Sequence, residues 1–140
     1  METEWEFFDS STSVLPPGKY YIGDVCHSTS KAEVYYETAC LDGLYKSSEG
    51  SFVITAAAKG NSVYIGSDQI EYVVTSGTIG IISKSLVADD AELHGVTMYE
   101  FPNGLTVTAE YGELIIDSDE FCMKIDTNET YEEAALDDWI

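Results

Sequence analysis

Apolar and polar positions alternate with period two along much of this chain. Ile70, Tyr72 and Val74 fall on one side, and Gln69 and Glu71 on the other. Val96 and Met98 alternate with Thr97 and Tyr99 in the same way. So do Leu105, Val107 and Ala109 with Thr106, Thr108 and Glu110, and Phe121, Met123 and Ile125 with Cys122, Lys124 and Asp126. Such alternation predicts half-buried strands. Turn chemistry separates the runs. Lys59-Gly60-Asn61 follows the strand-like run Phe52 to Ala58, and Ser76-Gly77 and Tyr111-Gly112 mark further reversals. Pro102-Asn103-Gly104 lies between two alternating runs, where Asn-Gly predicts a hairpin. Short strands joined by short turns predict an antiparallel β-meander, either a twisted sheet or a partly closed barrel.

Two segments carry helix signals instead. Ser30 with Glu33 fits a capping box, Val34, Thr38 and Leu41 then share a face, and Gly43 ends the run. Near the C-terminus, Thr127 or Asn128 is a candidate cap for residues 129–139. There Tyr131, Ala135 and Trp139 form one stripe suited to docking on a sheet. The expected class is therefore α+β: the meander, one helix after the first motif strand, and a C-terminal acidic helix. The 140 residues suit a single domain. It divides into an N-terminal arm or loop (1–18), a helix plus β-rich body (19–126) and the acidic helix (127–140). Within the arm, Ser10–Gly18 reads as a loop, whereas Trp5, Phe7 and Phe8 predict an added strand or packing on the body.

Composition adds the decisive asymmetry. There are 26 acidic residues and 6 lysines, no arginine, and a formal charge of −20. Phosphate binding on the scale of a nucleic acid needs clustered Lys and Arg, so direct contact with DNA or RNA is excluded, as is an anionic membrane surface. Residues 89–140 hold 15 of the acids and one lysine. Solubility alone needs a net charge of only about 2–8. The opening Met1-Glu2-Thr3-Glu4-Trp5-Glu6 has neither the basic nor the apolar run of a secretory signal. Cys26, Cys40 and Cys122 are an odd, widely spaced set that fits reduced thiols. A cytoplasmic protein is expected, in the host cell if viral.

Candidate chemistry is sparse. Asp24, Cys26 and His27 form the one local group of reactive types, with His94 as a distant candidate base. Adjacent residues of a strand point to opposite faces, so Cys26 and His27 do not make a dyad directly. No C-x-x-C, phosphate-binding loop, nucleophile elbow or dinucleotide fingerprint is present. The acids of Asp117–Glu120 lack the spacing of a calcium loop. The expectation is a protein with no catalytic residue, no metal and no cofactor.

Two motifs carry a resemblance. The stretch Leu15-Pro16-Pro17-Gly18-Lys19-Tyr20-Tyr21-Ile22-Gly23-Asp24-Val25-Cys26-His27 resembles the G-K-Y-Y-I-G-D-P-C-Y opening of a family of small, acidic, uncharacterised proteins from phages, giant viruses and bacteria. That family's later D-S-G-x-I-G motif is similar to Thr75-Ser76-Gly77-Thr78-Ile79-Gly80. The resemblance runs over roughly residues 15–125 in the order of elements, and is close only at the two motifs. It implies a short acidic helix, a β-rich body and a mobile or viral origin, but no activity. Thr75 stands where the family has Asp and His27 where it has Tyr, so any chemistry that Asp performs in relatives is lost here.

The charge then sets the expected function: a non-enzymatic acidic inhibitor, phage-encoded, of the anti-CRISPR or anti-restriction type. It would occupy the basic nucleic-acid channel of a host protein by charge complementarity. Asp117, Asp119, Glu120, Glu129, Glu132, Glu133, Asp137 and Asp138 are the candidate partner-binding residues. A bacterial immunity protein or antitoxin against a basic nuclease has the same surface physics. A small-ligand binder or a Cys26-dependent enzyme is the third alternative. A homodimer is compatible with the sequence only if an apolar interface offsets the repulsion between two such chains.

Overall fold

The computed structural model describes residues 6–8, 11–25, 43–47, 50–75, 77–87, 96–110, 112–119 and 121–128. Among the described residues the Val-, Ile-, Tyr- and Thr-rich runs form twelve strands: β1 Glu6–Phe8, β2 Thr12–Leu15, β3 Gly18–Gly23, β4 Gly43–Ser47, β5 Gly50–Ala56, β6 Ser62–Ile65, β7 Glu71–Val74, β8 Thr78–Ser83, β9 Val96–Phe101, β10 Leu105–Glu110, β11 Glu113–Asp117 and β12 Cys122–Asp126. Every pairing is antiparallel. One sheet has six strands in the order β1-β4-β5-β8-β3-β9, a second has four in the order β12-β11-β10-β2, and β6-β7 form a ribbon.

The central strands of the larger sheet are apolar on both sides, which is why Phe52 to Ile54 and Ile79 to Ile82 read as unbroken runs rather than alternating ones. On one face, Tyr20, Ile22, Val53, Ile79 and Ile81 meet Leu105, Val107, Leu114, Ile116, Met123 and Ile125 of the smaller sheet, with Tyr64, Tyr72 and Val74 of the ribbon. On the other face, Tyr45, Phe52, Ile54 and Ile82 form a second cluster with Val25 and Leu86. Tyr45 and Phe52 stack there at 4.7 Å between ring centroids. Burying each such side chain contributes about 1.5–3 kcal/mol.

The two sheets are joined by a ribbon that turns a corner. β3 pairs with β9 up to Gly18 opposite Phe101. The ladder resumes in the other sheet with Leu15 of β2 opposite Leu105 of β10. Pro16 and Pro17 on one strand face Pro102, Asn103 and Gly104 on the other. The unequal count is a one-residue bulge at a change of sheet. Prolines suit the corner because no ladder hydrogen bond is needed there. Gly104 has φ +81°, and a Cβ on it would lie 2.8 Å from the carbonyl oxygen of Leu15. Pro102-Asn103-Gly104 does reverse the chain, with the Gly104 N–H donating to the Phe101 carbonyl at 3.2 Å. It does not make a hairpin, because the strands it joins belong to different sheets.

The α+β class is corrected by this architecture. The described residues are almost entirely β, and among them the one complete helical element is a 3-10 turn, Lys84–Leu86. Gly43, expected to end a helix, opens β4 instead, where a Cβ on it would lie 2.6 Å from the Phe8 carbonyl oxygen of β1. The rest of that segment, residues 30–42, lies outside the described residues. Thr127 does not cap a helix with its side chain. It is fully buried, its hydroxyl donates to the Gly112 carbonyl at 2.5 Å, and it accepts from the Ala58 N–H at 2.8 Å. Residues 129–140 lie outside the described residues. Among the described residues three consecutive strands pair in order only at β10-β11-β12; β4-β5 and β6-β7 are single hairpins, and the rest of the sheet order departs from the sequence order. The expected loop at Ser10–Gly18 contains β2. β1 pairs with β4, and its Phe7 ring lies 4.9 Å from that of Tyr45. In β9, Tyr99 and Phe101 pack toward the main core while Met98 is 46% exposed. Among the described residues no helix is long and apolar enough to cross a membrane.

Candidate functional site

The outer face of the smaller sheet gathers carboxylates. In β10, β11 and β12 the buried apolar residues, such as Val107, Leu114, Ile116, Met123 and Ile125, point inward, so their alternates, Ile115 among them, point out. Register then sets Glu110 beside Glu113 and Glu113 beside Asp126. These three residues form a row across three strands whose backbones lie about 4.7–4.9 Å apart. Lys124 reaches Glu113 at 3.3 Å and partly balances the row. Like charges directly opposite one another oppose folding, so the row is a cost that strand pairing alone does not ask for. At the other end of β11, Asp117 is exposed and stands in register with Thr106 and Cys122. Asp119 follows on the turn into β12 and is also exposed.

Beside that turn lies a cleft of about 250 Å³ between the end of β9 and the β11–β12 connection. Its wall is aromatic. Tyr99 and Phe121 stack at 4.9 Å between centroids with 28° between planes, and Phe101 lies 6.3 Å from each. Glu100 and Asp119 supply the charge. The Ser118 N–H and hydroxyl both donate to the Phe121 carbonyl, at 2.8 and 3.0 Å, and so fix the turn that presents Phe121. Aromatic faces with carboxylates at their rim favour a cation.

Asp68 holds Tyr99 from behind. The Tyr99 hydroxyl and that of the fully buried Tyr72 both donate to its Oδ2 at 2.5 Å, while the Ile70 N–H donates to Oδ1 at 3.2 Å. Burial, then the hydrogen bond to Asp68, pushes the Tyr99 phenol up to about 12, and the same two causes raise Tyr72 further. Both phenols keep their protons at neutral pH, and the carboxylate that accepts from them orients the aromatic wall. A phenol whose folded pKa lies above its unfolded value of 10.0 contributes stability that is complete below that value and lost as pH rises through the folded one. Unfolding free energy is therefore expected to fall between about pH 10 and about 12, by up to ~1.4 kcal/mol per pH unit for each phenol. Urea titrations across this range should show a shallower fall for Tyr99→Phe. An equal fall in that variant would refute Tyr99's part in it.

The structure places Asp117 and Asp119 on one exposed rim. Glu120, Glu129, Glu132, Glu133, Asp137 and Asp138 lie outside the described residues, as do Cys26, His27, Cys40 and His94. Asp24 is 1% exposed and accepts from the Thr75 N–H at 2.8 Å and from its hydroxyl at 3.2 Å. It ties the first motif to the second, whose strands pair with Gly23 opposite Gly80. Cys122 is a free, exposed thiol on β12. Among the described residues no group of three His, Cys, Asp or Glu could hold a metal ion. Glu110 and Glu113 stand out in the sequence only as part of the acidic last third, and sequence reasoning does not place them or Asp126 among the partner-binding residues, because their alignment depends on register. Tyr99, Phe101 and Phe121 read in the sequence only as apolar or alternating positions. Comparison with protein-family models, curated proteins and solved structures gives no match.

Proposed function

We propose that this protein is a non-enzymatic acidic inhibitor that covers a basic, nucleic-acid-binding surface of a host protein, as a phage counter-defence protein would. The observation that carries the reading is the carboxylate row Glu110–Glu113–Asp126, which a rigid sheet holds at fixed spacing in a chain of charge −20 with no arginine. An anionic face carried on a folded sheet meets a positive groove without first ordering a flexible backbone, and its field speeds encounter. Asp117 and Asp119 extend the face toward the aromatic cleft, where a partner's Lys or Arg side chain can sit over Tyr99 and Phe121. The motif resemblance fits a mobile or viral origin.

The protein, immobilised and exposed to host lysate at low salt, is expected to retain one nucleic-acid-handling protein that leaves as salt is raised. A Glu110→Lys, Asp117→Lys, Asp119→Lys triple variant, with an unchanged β-sheet circular dichroism spectrum, should retain none of it. Retention that is indifferent to salt, or undiminished in the triple variant, sinks the proposal. A basic nuclease toxin as the retained protein would make this an immunity protein instead.

A further inference from the structure

The cleft beside the β11–β12 turn is shaped for a flat group. Its volume of about 250 Å³ suits one long side chain and falls short of the about 300–1,000 Å³ of small-molecule pockets. Tyr99 and Phe121 are nearly parallel, 28° apart, and so offer a flat wall. A methylated ammonium is held in a cage of aromatic rings, whereas a planar guanidinium stacks on one face. Phe101 does not close such a cage, because it is only 2% exposed. The wall is fixed at both rings. The Tyr99 hydroxyl is held by Asp68, and the Ser118 N–H and hydroxyl hold the Phe121 carbonyl. Asp119 stands exposed at the rim and makes no ion pair or hydrogen bond among the described residues. Asn103 adds a side-chain amide oxygen. Glu100 also borders the cleft, but it alternates with Tyr99 and Phe101 along β9 and stands opposite Lys19. The charge of the cleft therefore rests on Asp119.

We propose that this cleft is a slot for an arginine side chain of a basic partner, and that it selects arginine over lysine. The inference rests on the acidic-inhibitor reading for the source of that arginine, but not for the slot itself. A guanidinium laid on the Tyr99–Phe121 wall keeps its in-plane N–H groups for the Asp119 carboxylate, which accepts them in pairs. Lysine is worse served. Its ammonium is compact and more strongly hydrated, and contact with a ring face strips water that one carboxylate does not replace. The chain's charge of −20 attracts both cations alike. The flat wall is what distinguishes them.

The test is a titration of the intact protein with N-acetyl-arginine amide, and with N-acetyl-lysine amide at equal ionic strength, followed by amide ¹H–¹⁵N shifts. Saturable shifts are expected at Tyr99, Ser118 and Phe121, with Kd in the tens of millimolar and the lysine probe at least about fivefold weaker. Asp119→Asn should weaken the arginine probe about fivefold and Phe121→Leu about tenfold. Asp119 is exposed, so its variant decides the matter should Phe121→Leu fail to fold. Glu6→Gln removes the same charge at the opposite edge of the six-stranded sheet and should change nothing. Shifts that stay linear, lysine binding as tight as arginine, or equal weakening by Glu6→Gln and Asp119→Asn overturn the slot. Selective arginine binding beside an empty lysate capture upholds the slot and removes the inhibitor reading alone. A salt-eluted partner captured by a protein blind to the arginine probe overturns the slot and leaves that reading standing.

Discussion

Replacing Gly80 by alanine is expected to destabilise the protein by on the order of 3 kcal/mol, at the upper end of overpacking costs. A Cβ on Gly80 would collide with the Val53 carbonyl oxygen and lie 3.1 Å from the Ile54 Cα. Both are backbone atoms of β5, so no rotamer change relieves the clash. β8 has no room to retreat, because β3 flanks it on the other side with Gly23 opposite Gly80. Ile79, Ile81 and Ile82 are fully buried around it, on both faces of the sheet. Gly60→Ala is the control. Gly60 lies at φ +66°, and a methyl group added there would meet nothing within 4 Å. Its substitution therefore carries only the left-handed backbone penalty of about 1–2 kcal/mol. Urea unfolding of the two variants should separate them clearly. Equal losses would mean that β5 and β8 are farther apart than these distances require.

Asp68→Ala is expected to cost about 3–4 kcal/mol, because it removes the shared acceptor of two phenols, one of them fully buried. The cost is a property of the group of three. Tyr72→Phe removes one donor and leaves Asp68 its bond to Tyr99, so its cost should stay near the lower end of about 1.5–3 kcal/mol, the worth of one hydrogen bond to a charged group. In a Tyr72→Phe, Tyr99→Phe background, Asp68→Ala should then lose most of its effect. A mutant cycle by urea unfolding measures this directly. Additive costs would mean that the carboxylate and the phenols act independently.

The strands were legible wherever one face is wet. Leu105, Val107 and Ala109 are buried as their alternation predicts, and so are Met123 and Ile125. The turn residues at Gly60, Gly77, Gly104 and Gly112 were legible too, all at positive φ. What each turn connects was not. Asn103-Gly104 announces a reversal, but only the pairing of Leu15 with Leu105 reveals that the chain changes sheets there. The helix signals were local patterns with no sight of their surroundings. Thr127 has the chemistry of a cap, and its hydroxyl is spent on Gly112 and Ala58, residues far away in the chain. The candidate site was half legible for the same reason. Asp117 and Asp119 stand out by charge, whereas Glu110, Glu113 and Asp126 become one row only through register.

The corner ribbon also sets the order in which the growing chain can complete its pairing. β2 must wait for β10, and β3 for β8 and β9. A ribosome adding about 5–20 residues per second takes several seconds between making Ile22 and making Ile81. Throughout that interval Tyr20, Tyr21 and Ile22 have both hydrogen-bonding edges open to any neighbouring nascent chain. The chain made by then already holds 11 of the 26 acids against four lysines, and this net negative charge keeps such neighbours apart before the acid-rich last third exists.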